Sequence, residues 1–575
     1  MCGIVGIFSR EKESVNDIFT MVKGMEERGP DGLGLLQTRN YAIGGTRLSI
    51  TGPQMVPVPL IDNLSSWGIV YNGEIYNVKK DSNRTDTESL LECLQHNPLS
   101  NHFDGMFAYC FFNLNNGFAY LNRDSFGIKP LYYLSNAKEL RFSSKIFGLK
   151  DPKDINISSQ LLFEYLSLGR SLDSNTIFND IYSFPTDKVL KLKQENEYIN
   201  YSFIEKTKKE EINNNDNSLI DSLRESVIEC ADTEKPLGLF LSGGIDSTAI
   251  AYFLAENGVK NIKTFSLLLG EDGITTLNEL NLPGESWKTW THFTISPNNE
   301  NINRAFTKVL NITSEPCFPM SSVYTYLLSE MAAKENIKVV LSGEGADELF
   351  FGYQSYLDFI KKQDSNFVNF YLEKSSSKLV ESMIDGGNYT KKITTVKLNS
   401  FAEKETGVVS QLLAAEKIVS LRPLLDRIDS TSMYHSIEIR VPFLHRDIPS
   451  IAKEMLNTLD KENIKDTKPL LRKELKPILS QKSVSTPKRP LRLNLKNYFH
   501  QNKLEELFEN LNDREVNSFL PLKERELENF IENLRHNPTE ETLLIAIRLY
   551  QICYFIRRTG VPEDNKVLDK GTAVI

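Results

Sequence analysis

Met1-Cys2-Gly3-Ile4-Val5-Gly6-Ile7 opens the chain, and the reading of this stretch decides the fold of the N-terminal part. A cysteine stands directly behind the start methionine and leads into an apolar, strand-like run. Removal of Met1, which a small second residue permits, leaves Cys2 with both a thiol and a free α-amino group. An ordinary α-amine titrates near pH ~8, against about 10.4 for lysine. Such an amine accepts the proton of its own thiol near neutrality, which makes a self-contained nucleophile. A cysteine near a terminus is ordinarily inert, so the stretch takes its meaning from the blocks that follow.

Four such blocks stand downstream. Arg47-Leu48-Ser49-Ile50-Thr51 follows a Gly-Gly pair, and Tyr71-Asn72-Gly73-Glu74-Ile75-Tyr76-Asn77 follows the apolar Ile69-Val70. Thr85-Asp86-Thr87-Glu88 precedes the helix-like Ser89-Leu90-Leu91. Arg123-Asp124-Ser125-Phe126-Gly127-Ile128-Lys129-Pro130 comes after two β-like stretches. On these residues the N-terminal part resembles the class II glutamine amidotransferase domain, an N-terminal-nucleophile hydrolase. The resemblance implies an αββα sandwich with Cys2 as nucleophile and a glutamine site formed by Arg47, Leu48, Ser49, Ile50, Thr51, Asn72, Gly73, Glu74 and Asp86.

The implied roles suit the residue types. Amide hydrolysis through a thioester needs an oxyanion hole, and Asn72 offers a side-chain N–H while Gly73 offers an unobstructed backbone N–H. A forked cation such as Arg47 matches the α-carboxylate of glutamine, and Asp86 matches its α-ammonium. The same residues also have local readings. Asn-Gly is a strong hairpin signal, and Asp86 before an apolar run reads as a helix N-cap.

In the second half, Lys235-Pro236-Leu237-Gly238-Leu239-Phe240-Leu241 reads as a buried strand entering Ser242-Gly243-Gly244-Ile245-Asp246-Ser247 and then a helix. A strand, a small-residue loop and a helix N-terminus make an anion site, and without a Walker A lysine this is not a P-loop. The string resembles the pyrophosphate loop of ATP pyrophosphatases. Ile337-Lys338-Val339-Val340-Leu341 likewise runs into Ser342-Gly343-Glu344-Gly345-Ala346-Asp347. Two parallel strands releasing such loops define a ligand crevice at their carboxyl ends. Asp246 and Asp347 would hold Mg²⁺ among phosphate oxygens, or else serve as helix N-terminal acids favoured by the dipole.

This pairing resembles asparagine synthetases of the glutamine-hydrolysing type. The resemblance implies ammonia released at Cys2, an internal passage, and ATP-driven conversion of aspartate to asparagine through an acyl-adenylate, giving AMP and pyrophosphate. It places Leu241, Ser242, Gly243, Gly244, Asp246, Ser247, Leu267, Ser342 and Gly343 at ATP, Glu344 at the adenylate, and Lys468 at the phosphate charge. Lys468 also has a plain reading as a solvated helix residue. Glu438 and Arg440, in the family-like Ser436-Ile437-Glu438-Ile439-Arg440-Val441-Pro442, read as a structural ion pair.

Composition fits a large soluble enzyme of at least two domains, which the resemblance makes α/β in class: 575 residues, 67 basic and 76 acidic, formal net charge −9. This balance disfavours nucleic-acid partners and general membrane attraction. No apolar stretch approaches the ~20 residues of a membrane span, no signal-peptide pattern opens the chain, and six scattered cysteines suit a reducing, cytoplasmic setting. The expected organisation is a glutaminase domain over 1–204, a charged, Asn-rich linker over 205–217, and a synthetase domain over 218–575. The latter is a doubly wound parallel sheet with a helical C-terminal part. A homodimer is implied by the family alone.

Departures bear on the acceptor. The family usually has Phe-Leu-Asp where Phe443-Leu444-His445 stands, Asp-Arg at Asp429-Ser430 and Ser-Glu at Ser144-Lys145. The segment from Gly270 through Trp287 to Phe293 is remodelled, with only Thr291-His292 retained, and Thr313-Ser314-Glu315-Pro316 matches an acceptor-side segment loosely. A different carboxylate acceptor, a glutamine-independent ring closure of the β-lactam synthetase kind, and a non-enzymatic relative are the alternatives. Intact Cys2, Arg47, Asn72 and Asp86 oppose the ring closure.

Overall fold

Alternating apolar residues at the start of the chain need two covers, and the fold supplies both. The computed structural model describes residues 2–9, 17–51, 56–62, 64–78, 85–100, 102–147, 149, 157–178, 180–194, 198–206, 218–269, 276–361, 367–374, 377–403, 405, 407–459, 465–487, 495–500 and 504–560. The first strand, β1 (Cys2–Ser9), pairs with β3 (Tyr41–Arg47) and β9 (Glu139–Ser143). Together with β2 (Gly32–Gln37), β8 (Tyr132–Ser135) and β10 (Ile181–Ser183) they form a six-stranded antiparallel sheet in the order β10-β8-β9-β1-β3-β2. A second antiparallel sheet follows the order β12-β11-β7-β6-β5-β4. Its strands are β4 (Leu60–Asp62), β5 (Trp67–Ile75), β6 (Gly105–Asn113), β7 (Phe118–Arg123), β11 (Lys188–Gln194) and β12 (Ile199–Glu205).

Side chains two apart on a strand share a face. Ile4 and Phe8 accordingly meet Val70, Cys110 and Leu121 between the sheets. Val5 and Ile7 pack outward with α1 (Ile18–Lys23) and α3 (Ser159–Leu168). Ile69, Tyr71 and Phe107 pack outward against Leu90 and Leu94 of α2 (Asp86–His96). The result is the αββα sandwich expected of an N-terminal-nucleophile hydrolase.

The second half is built on a five-stranded parallel sheet ordered β15-β14-β13-β16-β17. Its strands are β13 (Leu237–Phe240), β14 (Lys263–Leu267), β15 (Thr291–Ile295), β16 (Val339–Leu341) and β17 (Glu438–Arg440). The chain winds outward from β13 in one direction and then returns to β16 on its other side. That reversal puts the topological switch point between β13 and β16, where ligands bind in such sheets. Helices complete the body, among them α4 (Leu219–Ala231), α5 (Ile245–Glu256), α6 (Asn299–Ile312), α7 (Ser322–Lys334), α8 (Ala346–Phe350), α9 (Arg422–Met433), α10 (Pro469–Leu475) and α11 (Glu540–Gly560).

The remodelled segment falls partly outside the described residues, at 270–275; beyond it, two short 3₁₀ turns (Leu277–Leu280 and Ser286–Thr289) lead into β15. Thr291 and His292 pair in register with Lys263 and Thr264, so the sheet order survives the remodelling. The proposed linker at 205–217 lies mostly outside the described residues. The C-terminal helix α11 docks on the sandwich: Arg548 donates from Nη1 to the carbonyls of Leu166 and Ser167 at 2.8 Å each. Among the described residues, no helix is long and apolar enough to cross a membrane.

Candidate active sites

Cys2 is the first residue of β1 and lies directly across from Arg47 on β3. Its backbone N–H donates to Asn72 Oδ1 at 3.2 Å. This fixes the amide of Asn72, which is fully buried, with its oxygen toward Cys2. The Nδ2 at the other end has no hydrogen-bond partner. A buried donor left unpaired costs about 1–3 kcal/mol unless a ligand completes it, and an oxyanion would do so.

The Asn72-Gly73 pair is not a hairpin turn. Both residues sit inside β5, opposite Ala108 and Phe107 of β6. Gly73 has φ +147°, and a Cβ there would lie 2.0 Å from the Met106 carbonyl oxygen, so only glycine lets the strands close. Asp86 is likewise not the N-cap. Thr85 caps α2 in a reciprocal box with Glu88, which leaves Asp86 at the first helical position. It accepts from Tyr71 Oη at 2.8 Å. Burial, with Asp86 and Glu74 close by, holds the Tyr71 phenol well above its ordinary pKa, so it remains a donor.

A pocket of about 560 Å³ opens over these groups, lined by Cys2, Arg47, Thr51, Gly73, Glu74 and Asp86 among others, with Leu48 and Ile50 on its apolar side. Ser49 stands behind it and orients Arg47 by accepting from Nε at 3.2 Å, while its own N–H donates to Asp31 at 2.8 Å. The pocket therefore brings together a thiol, a guanidinium and a carboxylate in one lining.

The second site lies at the switch point. The β13 loop closes on itself through Ser242 and Ser247, whose hydroxyls are 3.1 Å apart, and Ser247 Oγ also accepts from Ser242 N at 3.2 Å. Gly243 and Gly244 lead into α5, whose first turn carries Asp246. The β16 loop meets it side by side: a Cβ on Gly343 would stand 2.8 Å from that of Asp246. Leu241 follows β13 and is held by a 2.8 Å bond from its N–H to the Phe265 carbonyl, with Leu267 at the end of neighbouring β14.

Lys468 is no solvated residue. It is 1% exposed, and its ammonium bridges Asp246 at 2.5 Å and Asp347 at 2.7 Å. It caps α10 with φ 55° and ψ 46°, the left-handed region that costs a residue with a Cβ about 1–2 kcal/mol. Its backbone N–H donates to the Phe351 carbonyl at 3.0 Å, which pins that conformation. Asp246 Oδ1 is buried without a hydrogen-bond partner. Asp246, with that oxygen at the mouth of the Ser-Gly loop, and Asp347 beside it are carboxylates of the kind that fit Mg²⁺, which takes few protein ligands and keeps water and phosphate for the rest.

Glu344 forms an ion pair with Arg427 of α9, whose Nη1 donates to Ser321 Oγ at 2.6 Å. Glu348, which the sequence reading passed over, is nearly fully buried behind Asp347 and accepts from Tyr353 Oη at 2.8 Å. Burial, with Asp347 and Glu344 adding to it, pushes its pKa up to about 8. The signal was present in Glu344-Gly345-Ala346-Asp347-Glu348, three acids in five residues after a buried strand.

The two sites share a buried boundary. Arg28 donates from Nε to the Cys2 carbonyl at 3.4 Å and grips Asp429 of α9 through Nη1 and Nη2 at 2.7 and 3.2 Å. Burial opposes the charge on Asp429, but Arg28 and Lys129 outweigh it and hold the carboxyl below its usual range. A cavity lies along this boundary, with Arg28, Asp429, Arg427 and Glu315 in its wall. Glu315 accepts from Tyr165 Oη at 2.5 Å, and burial pushes its pKa up to about 7. The departures from the family pattern have local partners here: Lys145 pairs with Glu27, and His445 sits between Asp104 and Glu229.

An N-terminal cysteine site on an αββα sandwich, joined to Ser-Gly loops at the switch point of a parallel sheet, defines a glutamine amidotransferase fused to an ATP-pyrophosphatase-type ligase domain. Residues 1–203 match the family described as "Glutamine amidotransferase domain", and residues 218–546 match "Asparagine synthase". The chain belongs to the asparagine synthase family. It is 28% identical over 381 residues to "Asparagine synthetase [glutamine-hydrolyzing] 1" of Bacillus subtilis, a match spanning 62% of this chain and 59% of that protein. It is 30% identical over 413 residues to "Putative asparagine synthetase [glutamine-hydrolyzing] 2" of Methanocaldococcus jannaschii, spanning 63% and 78%. Among solved structures, a glutamine phosphoribosylpyrophosphate amidotransferase from B. subtilis aligns at 13% identity over 60% of this chain and 82% of that one. Its TM-score of 0.25 is too low to bear on the fold.

Proposed function

We propose that the protein makes asparagine from aspartate, with glutamine as nitrogen donor and ATP as the activating substrate. In the first site, Arg47 takes the α-carboxylate of glutamine and Asp86 its α-ammonium. Cys2 Sγ attacks the side-chain carbonyl carbon after its proton passes to the Cys2 α-amine, which requires that Met1 be removed. The oxygen of the tetrahedral intermediate receives Asn72 Nδ2–H and the Gly73 N–H. Ammonia leaves, and water then releases glutamate from the thioester.

In the second site an aspartate carboxylate oxygen bonds to the α-phosphorus of ATP and pyrophosphate departs. Ammonia attacks the activated carbonyl, loses a proton, and expels AMP. The Ser242 and Ser342 loops present backbone N–H groups to the phosphates, and the Lys468 ammonium offsets charge on the departing pyrophosphate. Asp246 and Asp347 would hold Mg²⁺, which when bound supplies further neutralisation of the phosphate oxygens. The boundary cavity lies between the two sites, where ammonia would pass.

The observation that supports this reading most is Lys468, held buried between Asp246 and Asp347 where the two Ser-Gly loops meet. The test is to incubate the protein with glutamine, aspartate, ATP and Mg²⁺ and to quantify asparagine, glutamate, AMP and pyrophosphate. Asparagine formed in step with AMP and pyrophosphate is the expected outcome. Glutamate without asparagine would shift the acceptor to another carboxylate, and neither product would overturn the enzymatic reading.

A further inference from the structure

Arg440 reaches toward both sites at once. It is the last residue of β17, the edge strand of the parallel sheet, and it is fully buried. Its backbone carbonyl accepts the Ser342 N–H at 3.0 Å, which ties it to the first residue of the nucleotide loop. Its guanidinium points the other way, toward the sandwich. Nη2 lies 3.5 Å from Glu74 Oε2 in the wall of the glutamine pocket, and the guanidinium sits 5.8 Å from the ring centre of Tyr76.

The group is held on every side. Nε donates to Glu438 at 2.6 Å, and Nη1 donates to the carbonyls of Asp232 at 2.7 Å and Cys230 at 3.1 Å, at the end of α4. Glu438 and Arg440 are two apart on one strand and therefore share a face, which is why the pair forms within the strand. These contacts leave a planar fork with little freedom. A shift of β17 driven by the Ser342 loop has to move the guanidinium against Glu74, because packed interiors transmit displacement and do not absorb it.

We propose that Arg440 is a positioning residue that couples the two sites, so that a nucleotide held by the Ser342 loop changes the affinity of the Glu74 pocket for glutamine. The proposal rests on the functional reading given above. By linkage, glutamine must then change the affinity for the nucleotide by the same factor.

The test uses full-length Cys2→Ala protein, in which glutamine binds without turnover, and calorimetry with glutamine in the absence and presence of saturating ATP and Mg²⁺. The expected result is a change in glutamine Kd of about fivefold or more, with a matching change in ATP Kd when glutamine is present. Adding Arg440→Lys, which keeps the charge and loses the fork, should bring both factors close to one while each ligand alone still binds. Should that variant fail to fold, Glu438→Gln, which loosens the guanidinium without removing it, is read in the same way. Equal glutamine affinity with and without ATP, or full coupling in the Arg440→Lys protein, overturns the proposal. ATP that does not bind at all overturns the functional reading, and the proposal with it.

Discussion

Replacing Lys468 by methionine removes the ammonium between Asp246 and Asp347 while keeping a side chain of similar length. The lysine is 1% exposed, and the two carboxylates it bridges are 14% and 13% exposed. Breaking a buried ion pair from one side costs about 3–5 kcal/mol, and the slight exposure of the acids places this case near ~3 kcal/mol. The backbone adds a second, separable effect. Glycine at this left-handed position relieves about 1–2 kcal/mol of strain and returns roughly 0.5–1 kcal/mol through the looser unfolded chain. Lys468→Gly should therefore be less destabilised than Lys468→Ala, which empties nearly the same buried space, by about 0.5–1 kcal/mol. For the chemistry, loss of a preorganised cation at a developing charge is worth about 10²–10³ in rate. These variants should lose ammonium-driven pyrophosphate release by that factor and keep glutamate release from glutamine. The assays are pyrophosphate release at saturating ATP, glutamate release without ATP, and thermal unfolding of the parent protein and the methionine, glycine and alanine variants. A Lys468→Met protein that keeps more than about a tenth of its pyrophosphate release would refute the catalytic role. A glycine variant no more stable than the alanine one would refute the strain.

Asn72→Ala removes the side-chain oxyanion donor, and glutaminase kcat should fall about 10²–10³-fold with little change in KM; a change confined to KM would assign Asn72 to substrate binding instead. At His445, burial works against the charge, but the Asp104 and Glu229 carboxylates, at 3.0 and 2.6 Å, more than offset it and raise the pKa. This stabilisation is fully present below the ordinary histidine value of about 6.5 and is lost as pH rises through the raised value. His445→Gln should flatten the melting midpoint across that window, and an unaltered pH profile would contradict the assignment. Asp429→Asn leaves Arg28 and Lys129 buried without their carboxylate, at a cost of about 3–5 kcal/mol. Because the folded pKa of Asp429 is depressed, the difference from the parent protein should hold above pH ~4 and vanish as pH falls through the depressed value. Melting curves from pH 3 upward, roughly the span of a carboxylate titration, decide it.

The strands and loops that bear the sites were legible because their patterns are local. The run from Cys2 to Ile7 and the Ser-Gly loops after buried strands announce themselves within a few residues. What escaped the sequence depends on neighbours far along the chain. Asn72-Gly73 looks like a turn until the Met106 carbonyl lies where a side chain would be. Asp86 looks like a cap because Thr85, one residue earlier, makes an equally good one, and only the reciprocal bond with Glu88 distinguishes them. Lys468 looks exposed beside Asp466 and Thr467, since its two partners lie over a hundred residues away in sequence. His445 reads as a lost aspartate, yet its two acidic partners come from both halves of the chain. Apart from the local Thr85–Glu88 box, long-range burial decides these cases, and no periodicity encodes it.

The central claim is that nitrogen freed at Cys2 reaches the acceptor inside the molecule. Glutamine labelled with ¹⁵N at the amide, supplied with aspartate, ATP, Mg²⁺ and an excess of unlabelled ammonium, tests it directly by mass spectrometry of the asparagine formed. Asparagine that carries mostly ¹⁵N is the predicted result, with Cys2→Ala protein giving only unlabelled product. Asparagine whose label matches the bulk ammonium pool would contradict internal delivery from the Cys2 site.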